Sequence, residues 1–207
     1  MIARAAACPD KDKADLIYRM IVLGLHLKDG HRITGMLGDP VMQRMFELGR
    51  KAGNIAIRYI EIIRFQELDS GALLAVIDPE ADVLALIAPH FSNRLPLENW
   101  MIYDRRRQKA VIHPAGKGWF LVEEVDERSV LEAEMSHEEA RYGELWKCFF
   151  KTLTIEARVN QKLQTSLIPL KYRDFMKEFQ NESLREDCEK CQNKETKQEY
   201  EKQISQE

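Results

Sequence analysis

The side chains with the clearest chemical potential lie in "WMIYDRRRQKAVIH", residues 100–113, where an aspartate and three arginines interrupt two hydrophobic runs. Arginine suits phosphate because its planar, permanently charged fork forms bidentate hydrogen bonds. On a strand, Arg105 and Arg107 would share one face and Arg106 would lie on the other. Two interpretations follow: Arg106 and Arg107 form an anion site, or the stretch is the solvated turn of a β-hairpin in which Asp104 pairs with a neighbouring arginine.

A second basic segment, "EARVNQKLQTSLIPLKYR", spans residues 156–173. Helical spacing puts Arg158 on one face with Lys162. The same spacing puts Asn160 on another face with Gln164. Basic side chains can contact phosphates, whereas amide side chains can bond base edges. The candidate nucleic-acid contacts of this segment are therefore Arg158, Asn160, Lys162, Gln164, Lys171 and Arg173. An ordinary polar helix face is the alternative interpretation.

The distribution of charge supports an anion-binding face near this segment. The whole chain of 207 residues has a formal net charge of -3. Residues 141–180, however, contain eight basic and four acidic side chains, whereas residues 181–207 contain five basic and eight acidic ones. A basic segment on a neutral body is typical of proteins that contact phosphate.

Two residues are candidates for catalysis. His90, in "APHF", could act as a general base because its unperturbed pKa lies near neutrality. It could equally be a helix-terminal histidine bonded to the backbone. Asp104 could orient a histidine or hold a metal. Cys188 and Cys191 form a single C-x-x-C without a second pair of ligands, so neither a metal nor a cofactor is expected.

The spacing of hydrophobic residues predicts an α+β fold. "DKDKADLIYRMIVLGLHL" and "DPVMQRMFELGRKAGNIAIRYI" predict helices, the second with Asp39 as N-cap and Pro40 in its first position. A β-β-α-β-β-β arrangement follows between about Ile60 and Val125, with "IEIIRFQEL" as its first strand and Pro89 ending or kinking its helix. We therefore expect a central antiparallel sheet flanked by N-terminal and C-terminal helices.

The composition bounds the domain organisation. Residues 1–183 are predicted to form a single domain, and residues 184–207, which are rich in Glu, Lys and Gln, a charged disordered or loosely helical tail. No apolar run reaches the roughly 18 residues of a membrane helix. The N-terminus also lacks the apolar core of a signal peptide, so we expect a cytoplasmic protein without membrane contact.

Several stretches together resemble one bacterial family of unknown biochemical function. They are "FELGRKAGN", "RYIEIIRFQEL", "VIDPEADVLALIAPHFSNRLP", "WMIYDRRR", "LWKCFFKTLTIEARVNQKLQ" and "IPLKYRDFMKEF". Members of that family are labelled DNA-repair or DNA-metabolism proteins. They occur fused to uracil-DNA-glycosylase-like proteins or encoded beside a radical-SAM protein. The resemblance implies a DNA-binding accessory protein with such a partner.

The resemblance also marks positions, and the chain departs from the family at some of them. The matched positions are Arg64, Phe65, His90, Phe91, Asp104, Arg106, Arg107, Arg158, Asn160, Lys162, Gln164, Pro169 and Tyr172. Many members have histidine where this chain has Tyr103 and glutamate where it has Ala157, which weakens a catalytic role there. Many also begin with a further "YDGS"-like strand, which we expect to be missing here.

Two other functions therefore remain open at this stage. One is an enzyme that acts on damaged nucleic acid, with His90 and Asp104 near the chemistry. The other is a protein–protein adaptor that does not bind DNA. Whether the protein is an enzyme at all stays undecided by the sequence.

Overall fold

The computed structural model describes residues 1–131, 134–155, 160–173, 176 and 179. The chain divides into two compact units, Met1–His137 and Glu138–Glu207. The predicted tail, residues 184–207, lies outside the described residues, as do Cys188 and Cys191. The single domain over residues 1–183 stays a prediction.

The described elements confirm the mixed α+β class. The helices are α1 (Ile2–Ala7), α2 (Lys13–His26), α3 (Pro40–Ile62), α4 (Leu84–Arg94), α5 (Glu127–Leu131), α6 (His137–Leu153), α7 (Gln161–Leu167) and α8 (Leu170–Arg173), with a 3-10 helix at Gly30–Gly35. The strands are β1 (Gln66–Glu67), β2 (Leu73–Ile77), β3 (Trp100–Asp104), β4 (Lys109–His113) and β5 (Phe120–Val122).

Helix α3 begins where the sequence predicts. Asp39 is its N-cap, and one carboxylate oxygen accepts hydrogen bonds from the backbone N–H of Val41 at 2.8 Å and of Met42 at 3.2 Å. Pro40 occupies the first turn, where its missing N–H has no partner to lose. The cap therefore satisfies two backbone donors that the helix itself cannot.

The first predicted strand is shorter than expected. Helix α3 continues to Ile62, so residues 60–62 are helical, and in this stretch the strand β1 is limited to Gln66–Glu67. Ala56, Tyr59 and Ile62 are all buried, at the spacing of one helix face. Burial of that face outweighs the strand preference of the isoleucines.

The sheet is open and mostly antiparallel, in the order β1-β2-β3-β4-β5. The one parallel pair is β2 with β3, in which Leu73 lies beside Trp100 and Ile77 beside Asp104. Helix α4 makes the crossover between these two strands and continues through Pro89 to Arg94. The arrangement β-β-α-β-β-β is therefore as predicted, with this parallel pair at its centre.

The two faces of the sheet bury different clusters. On strand β3, Trp100 and Ile102 alternate with Met101 and Tyr103. The first pair lies on the face where Trp100 contacts Phe91 of α4, with ring centroids 6.3 Å apart. The second face holds a cluster made of Leu74, Tyr103, Ala110 and Val130. Strand β3 is thus covered on both sides, and its end residue Asp104 is fully buried.

Replacing the N-cap tests how α3 begins. We expect Asp39→Ala to lower the free energy of unfolding by about 1 kcal/mol because two N–H groups lose their acceptor. Asp39→Asn keeps an acceptor oxygen and should stay within a few tenths of a kcal/mol of the wild type. Urea unfolding followed by circular dichroism measures both, and equal losses in the two variants would contradict the cap.

Candidate functional site: the arginine hairpin and the C-terminal helices

Asp104 ends strand β3 with its side chain at 0% exposure. Its Oδ1 accepts hydrogen bonds from the backbone N–H of Arg106 at 3.0 Å and of Arg107 at 3.2 Å, which closes the turn. Its Oδ2 accepts from the Arg107 guanidinium at 2.9 Å. Burial raises the pKa of Asp104 above its ordinary value, and the hydrogen bond and charge of Arg107 oppose that rise.

Arg107 joins the hairpin to the loop that precedes α4. Its Nη1 donates to the Pro79 carbonyl at 2.9 Å as well as to Asp104, and its Nη2 donates to the Glu80 carbonyl at 2.7 Å. One guanidinium thus satisfies one carboxylate and two backbone carbonyls. A planar fork can reach three acceptors at these angles, which a lysine ammonium on a single stem cannot reproduce.

Arg106 forms a bidentate pair with Asp78, also in the loop before α4. Its Nε donates to Asp78 Oδ1 at 2.7 Å and its Nη2 to Asp78 Oδ2 at 3.2 Å. The hydrogen bond from Arg106 lowers the pKa of Asp78, and the same bond raises the pKa of Arg106. Both side chains are partly exposed, so solvent weakens the pair.

The other two cations of the turn are also paired. Arg105 donates from Nε to Glu127, the first residue of α5, at 2.7 Å, and its backbone N–H donates to the Ile77 carbonyl at 2.9 Å. Lys109 lies 2.8 Å from Glu123 and 3.8 Å from Asp82. Asp104 therefore does pair internally, and the whole "DRRRQK" turn is tied to the loop before α4, to α5 and to the residue after β5.

The structure does not bring His90 and Asp104 together. His90 is exposed near the end of α4, with its ring edge-on to Phe91 at 5.1 Å. Phe91 contacts Trp100, which is the opposite end of β3 from Asp104. Four residues of strand span about 13 Å. A mechanism that uses both side chains on one substrate atom has no geometric support among the described residues.

One buried histidine was missed by the sequence reasoning. His113 is 1% exposed, stacks on Trp100 with ring centroids 4.9 Å apart and planes at 3°, and bonds the Glu98 carbonyl through Nδ1 at 3.1 Å. The predicted hairpin could have indicated this contact, because Trp100 and His113 are register partners at its open end. The pair fills the core beneath α4.

Two buried polar atoms lack a partner among the described residues, Trp100 Nε1 and Tyr103 Oη. Tyr103 is the residue that stands where the resembled family often has histidine. Its ring lies in the cluster with Val130, and burial raises the pKa of its phenol. The hydroxyl is thus held neutral in an apolar setting, which suits packing rather than proton transfer.

The C-terminal candidates differ in what they contact. Asn160 caps α7, its Oδ1 accepting from the Leu163 backbone N–H at 3.0 Å. Arg173 donates to the Ile168 carbonyl and to Thr165 Oγ1, both at 3.3 Å, and lies 4.7 Å from the Phe179 ring centroid.

The remaining candidates are Lys171, Lys162, Gln164 and Arg158. Lys171 lies 5.1 Å from the Tyr172 ring centroid. Lys162 is exposed on α7, and Gln164 is half-buried. Arg158 lies outside the described residues.

Helix α6 presents aromatic side chains to solvent. Tyr142, Trp146 and Phe149 follow one another at spacings of four and three residues, so they share a face. Their exposed fractions are 64%, 45% and 53%, and the Trp146 and Phe149 rings lie 5.8 Å apart. None of the described elements covers this aromatic face, which therefore stays open to solvent.

A shallow groove lies beside α7. Its volume is about 310 Å³, and its lining is Leu153, Thr154, Ile155, Asn160, Leu163, Gln164 and Leu167. The lining is mainly aliphatic, with two amide side chains at the N-terminal half of α7. Such a surface can accept an apolar group together with one hydrogen-bonding edge.

Metal and membrane sites receive no support from the part of the chain that the structure describes. It contains no group of three or more His, Cys, Asp or Glu side chains able to hold a metal ion. None of its helices is both long enough and apolar enough to cross a bilayer. The candidate sites are therefore the hairpin and the surfaces of α6 and α7.

The comparisons with known proteins identify the class of domain. A family model described as a domain of unknown function, DUF4130, matches residues 11–178. The match covers most of the chain, so the protein belongs to this family. Neither the curated proteins nor the solved structures include a match to this chain.

Removal of the Arg107 side chain should destabilise the fold more than removal of any other cationic side chain of the hairpin. We expect Arg107→Ala to lower the free energy of unfolding by about 3 kcal/mol, because Asp104 becomes an unpaired buried charge and two carbonyls lose their donor. Arg58→Ala, which removes an exposed pair with Glu61, should cost less than about 1 kcal/mol. Chemical denaturation compares the two, and similar losses would refute the role of Arg107.

The raised pKa of Asp104 predicts a pH dependence of definite sign. Folded Asp104 binds its proton more tightly than the unfolded chain does, so its contribution to stability falls as pH rises from its ordinary pKa through its raised folded pKa. The stability of wild type minus that of Asp104→Asn should therefore decline across this window and then level off. Asp78, with its lowered pKa, contributes with the opposite sign and below this window.

Denaturation curves at intervals between about pH 4 and pH 7 measure this difference. Asp78→Asn is the matched control and should show a nearly constant offset from wild type over the same range. A wild-type-minus-Asp104→Asn difference that increases with pH would contradict the assignment.

Proposed function

We propose that the protein is a DNA-binding accessory factor in DNA repair or DNA metabolism, and that its C-terminal unit binds unpaired DNA. The observation that carries the proposal is the exposed aromatic face of α6, Tyr142, Trp146 and Phe149, within a segment that has twice as many basic as acidic residues. Proteins that bind single strands combine these two features, since bases stack on aromatic rings while cations follow the phosphates.

The charge of the segment suits this role. Residues 141–180 carry eight bases against four acids, and Lys162 is exposed on α7. Basic side chains bind DNA largely by releasing its counterions, so the affinity falls steeply with salt. Gln164, half-buried at the groove, supplies an amide that can bond a base edge.

The hairpin arginines fit a structural role better than a phosphate site. Arg106 and Arg107 each have carboxylate partners, and Arg107 bonds two carbonyls as well. Phosphate would have to displace these partners, which lowers the net gain on binding. In our proposal the hairpin holds the fold, and DNA contacts lie in the C-terminal unit.

The partner in our proposal is a glycosylase-like or a radical-SAM protein. Support comes from the resemblance of the sequence to DNA-repair and DNA-metabolism proteins that occur with such partners. The protein would hold unpaired DNA for the partner, which carries out the chemistry. No reaction is assigned to His90 or Asp104, because His90 is on α4 beside Phe91, which contacts the Trp100 end of β3, whereas Asp104 is at the other end of that strand.

An adaptor that binds protein instead of DNA is the second candidate. The observation in its favour is the aliphatic character of the same unit, with Leu145, Leu153, Leu163 and Leu167 all more than half exposed. Exposed apolar surface of this kind is typical of protein-binding sites. Co-purification with the partner in the absence of any DNA affinity would favour the adaptor.

Fluorescence anisotropy with labelled oligonucleotides tests DNA binding. We expect single-stranded DNA to bind more tightly than duplex, with affinity falling when salt rises from about 50 to about 200 mM. Trp146→Ala and Phe149→Ala should each weaken binding about tenfold through lost stacking. Lys162→Ala should weaken binding and reduce its salt dependence.

The matched control is Tyr18→Ala, which removes an exposed aromatic side chain from α2. It should bind as wild type does, and so should Arg106→Ala once its fold is confirmed by circular dichroism. Absence of binding at low salt, or wild-type affinity in Trp146→Ala and Lys162→Ala, would refute the proposal. Single-stranded DNA containing uracil, compared with the same strand containing thymine, shows whether the protein distinguishes that base.

A further inference from the structure

The two edge strands of the sheet differ in whether their outer backbone groups are hydrogen-bonded. At the β1 edge, Leu68 forms an antiparallel bridge with Met135. The Asp69 N–H donates to the Glu134 carbonyl at 3.1 Å, and the Ser136 N–H donates to the Glu67 carbonyl at 3.0 Å. Residues 134–136 therefore cover this edge and use its backbone groups.

The opposite edge, β5, is open. In the sheet order β5 has a neighbour on one side, β4, and no strand among the described residues pairs with its other side. Phe120 and Leu121 are 48% and 46% exposed, and they point to opposite faces of the sheet. Strand edges are usually protected by shortness, a charge, a proline or a bulge, and β5 is short, at three residues, but Phe120–Val122 carries no charge or proline.

We propose that β5 pairs antiparallel with β5 of a second copy of this chain, around a two-fold axis. A two-fold interface presents the same strand from both copies, so the free N–H and C=O groups of one edge meet those of the other. The apolar side chains of the two edges then cover each other on both faces of the joined sheet.

The charges that flank β5 favour this pairing. Lys117 precedes the strand and is exposed, whereas Glu123 follows it and is 70% exposed while it pairs with Lys109. Antiparallel self-pairing brings the Lys117 end of one copy to the Glu123 end of the other, twice by symmetry. Opposite charges across neighbouring strands attract, and a parallel arrangement would place like charges together.

The interface is small, so the dimer is weak and reversible. Three residues of strand lie between the left-handed turn residues Gly116, at φ 69°, and Glu124, at φ 56°, where the chain leaves the edge. An interface below the standard size is typical of transient association. The proposal uses only the Met1–His137 unit and is independent of DNA binding by the C-terminal unit.

Sedimentation velocity of the full chain over a concentration series tests the proposal. We expect a concentration-dependent shift from monomer to dimer, and hydrogen exchange should show β5 amides gaining protection as the dimer forms. Leu121→Lys should weaken the dimer at least about tenfold, because a charge is added to the pairing edge. The matched control Leu25→Lys, at an exposed leucine of α2, should dimerise as wild type does.

A charge reversal at Lys117 distinguishes specific self-pairing of β5 from non-specific association. Lys117→Glu should weaken the dimer, because each copy then presents negative charge at both ends of β5, whereas Lys117→Arg keeps the positive end and should dimerise as wild type does. Circular dichroism confirms that each variant is folded. A chain that stays monomeric at every concentration, a dimer unaffected by Leu121→Lys, or equal dimer affinities of Lys117→Glu and Lys117→Arg would overturn the proposal.

Discussion

The hairpin end of the Met1–His137 unit depends on one buried ion pair, between Asp104 and Arg107. A carboxylate at zero exposure is costly unless charge and hydrogen bonds compensate it, and here the guanidinium and two backbone N–H groups do so. The same guanidinium bonds the carbonyls of Pro79 and Glu80, so the β3–β4 turn and the start of the α4 crossover are held by a single group. Loss of the Arg107 charge would leave the Asp104 carboxylate buried without a counter-ion.

This pair explains why the neighbouring arginines are needed and why they are not equivalent. Arg106 and Arg105 pair at the surface with Asp78 and Glu127, where water screens the charges and each pair contributes little. The two pairs position the turn, because Asp78 lies in the loop before α4 and Glu127 is the first residue of α5. The cluster of three arginines therefore corresponds to three separate attachments, of which only that of Arg107 reaches into the interior.

Much of this fold could be predicted from the sequence, and the failures have physical causes. The alternation of "WMIYD" and "KAVIH" around a polar turn correctly predicted the β3–β4 hairpin. Asp39 with Pro40 correctly predicted the start of α3. Both signals are local. The parallel pairing of β2 with β3 could not be predicted, because it depends on where α4 returns the chain. Residues 60–62 were misassigned to a strand because their helical or extended state is decided by burial against distant residues, not by their own preferences.

The candidate site was less predictable than the fold. The sequence placed Asp104 beside arginines but could not show that Arg107 would pair with it, since the acceptors at Pro79 and Glu80 lie 28 and 27 residues from Arg107 along the chain. Function read from residue type alone favours the densest group of cations, which here is the hairpin. The ion pairs of Arg106 and Arg107 argue against choosing the hairpin. A cation already bonded to carboxylates and carbonyls has little to offer a phosphate, whereas the aromatic rings of α6 and the Lys162 side chain of α7 are exposed to solvent. For this reason our proposal places the DNA contacts on α6 and α7 rather than on the hairpin.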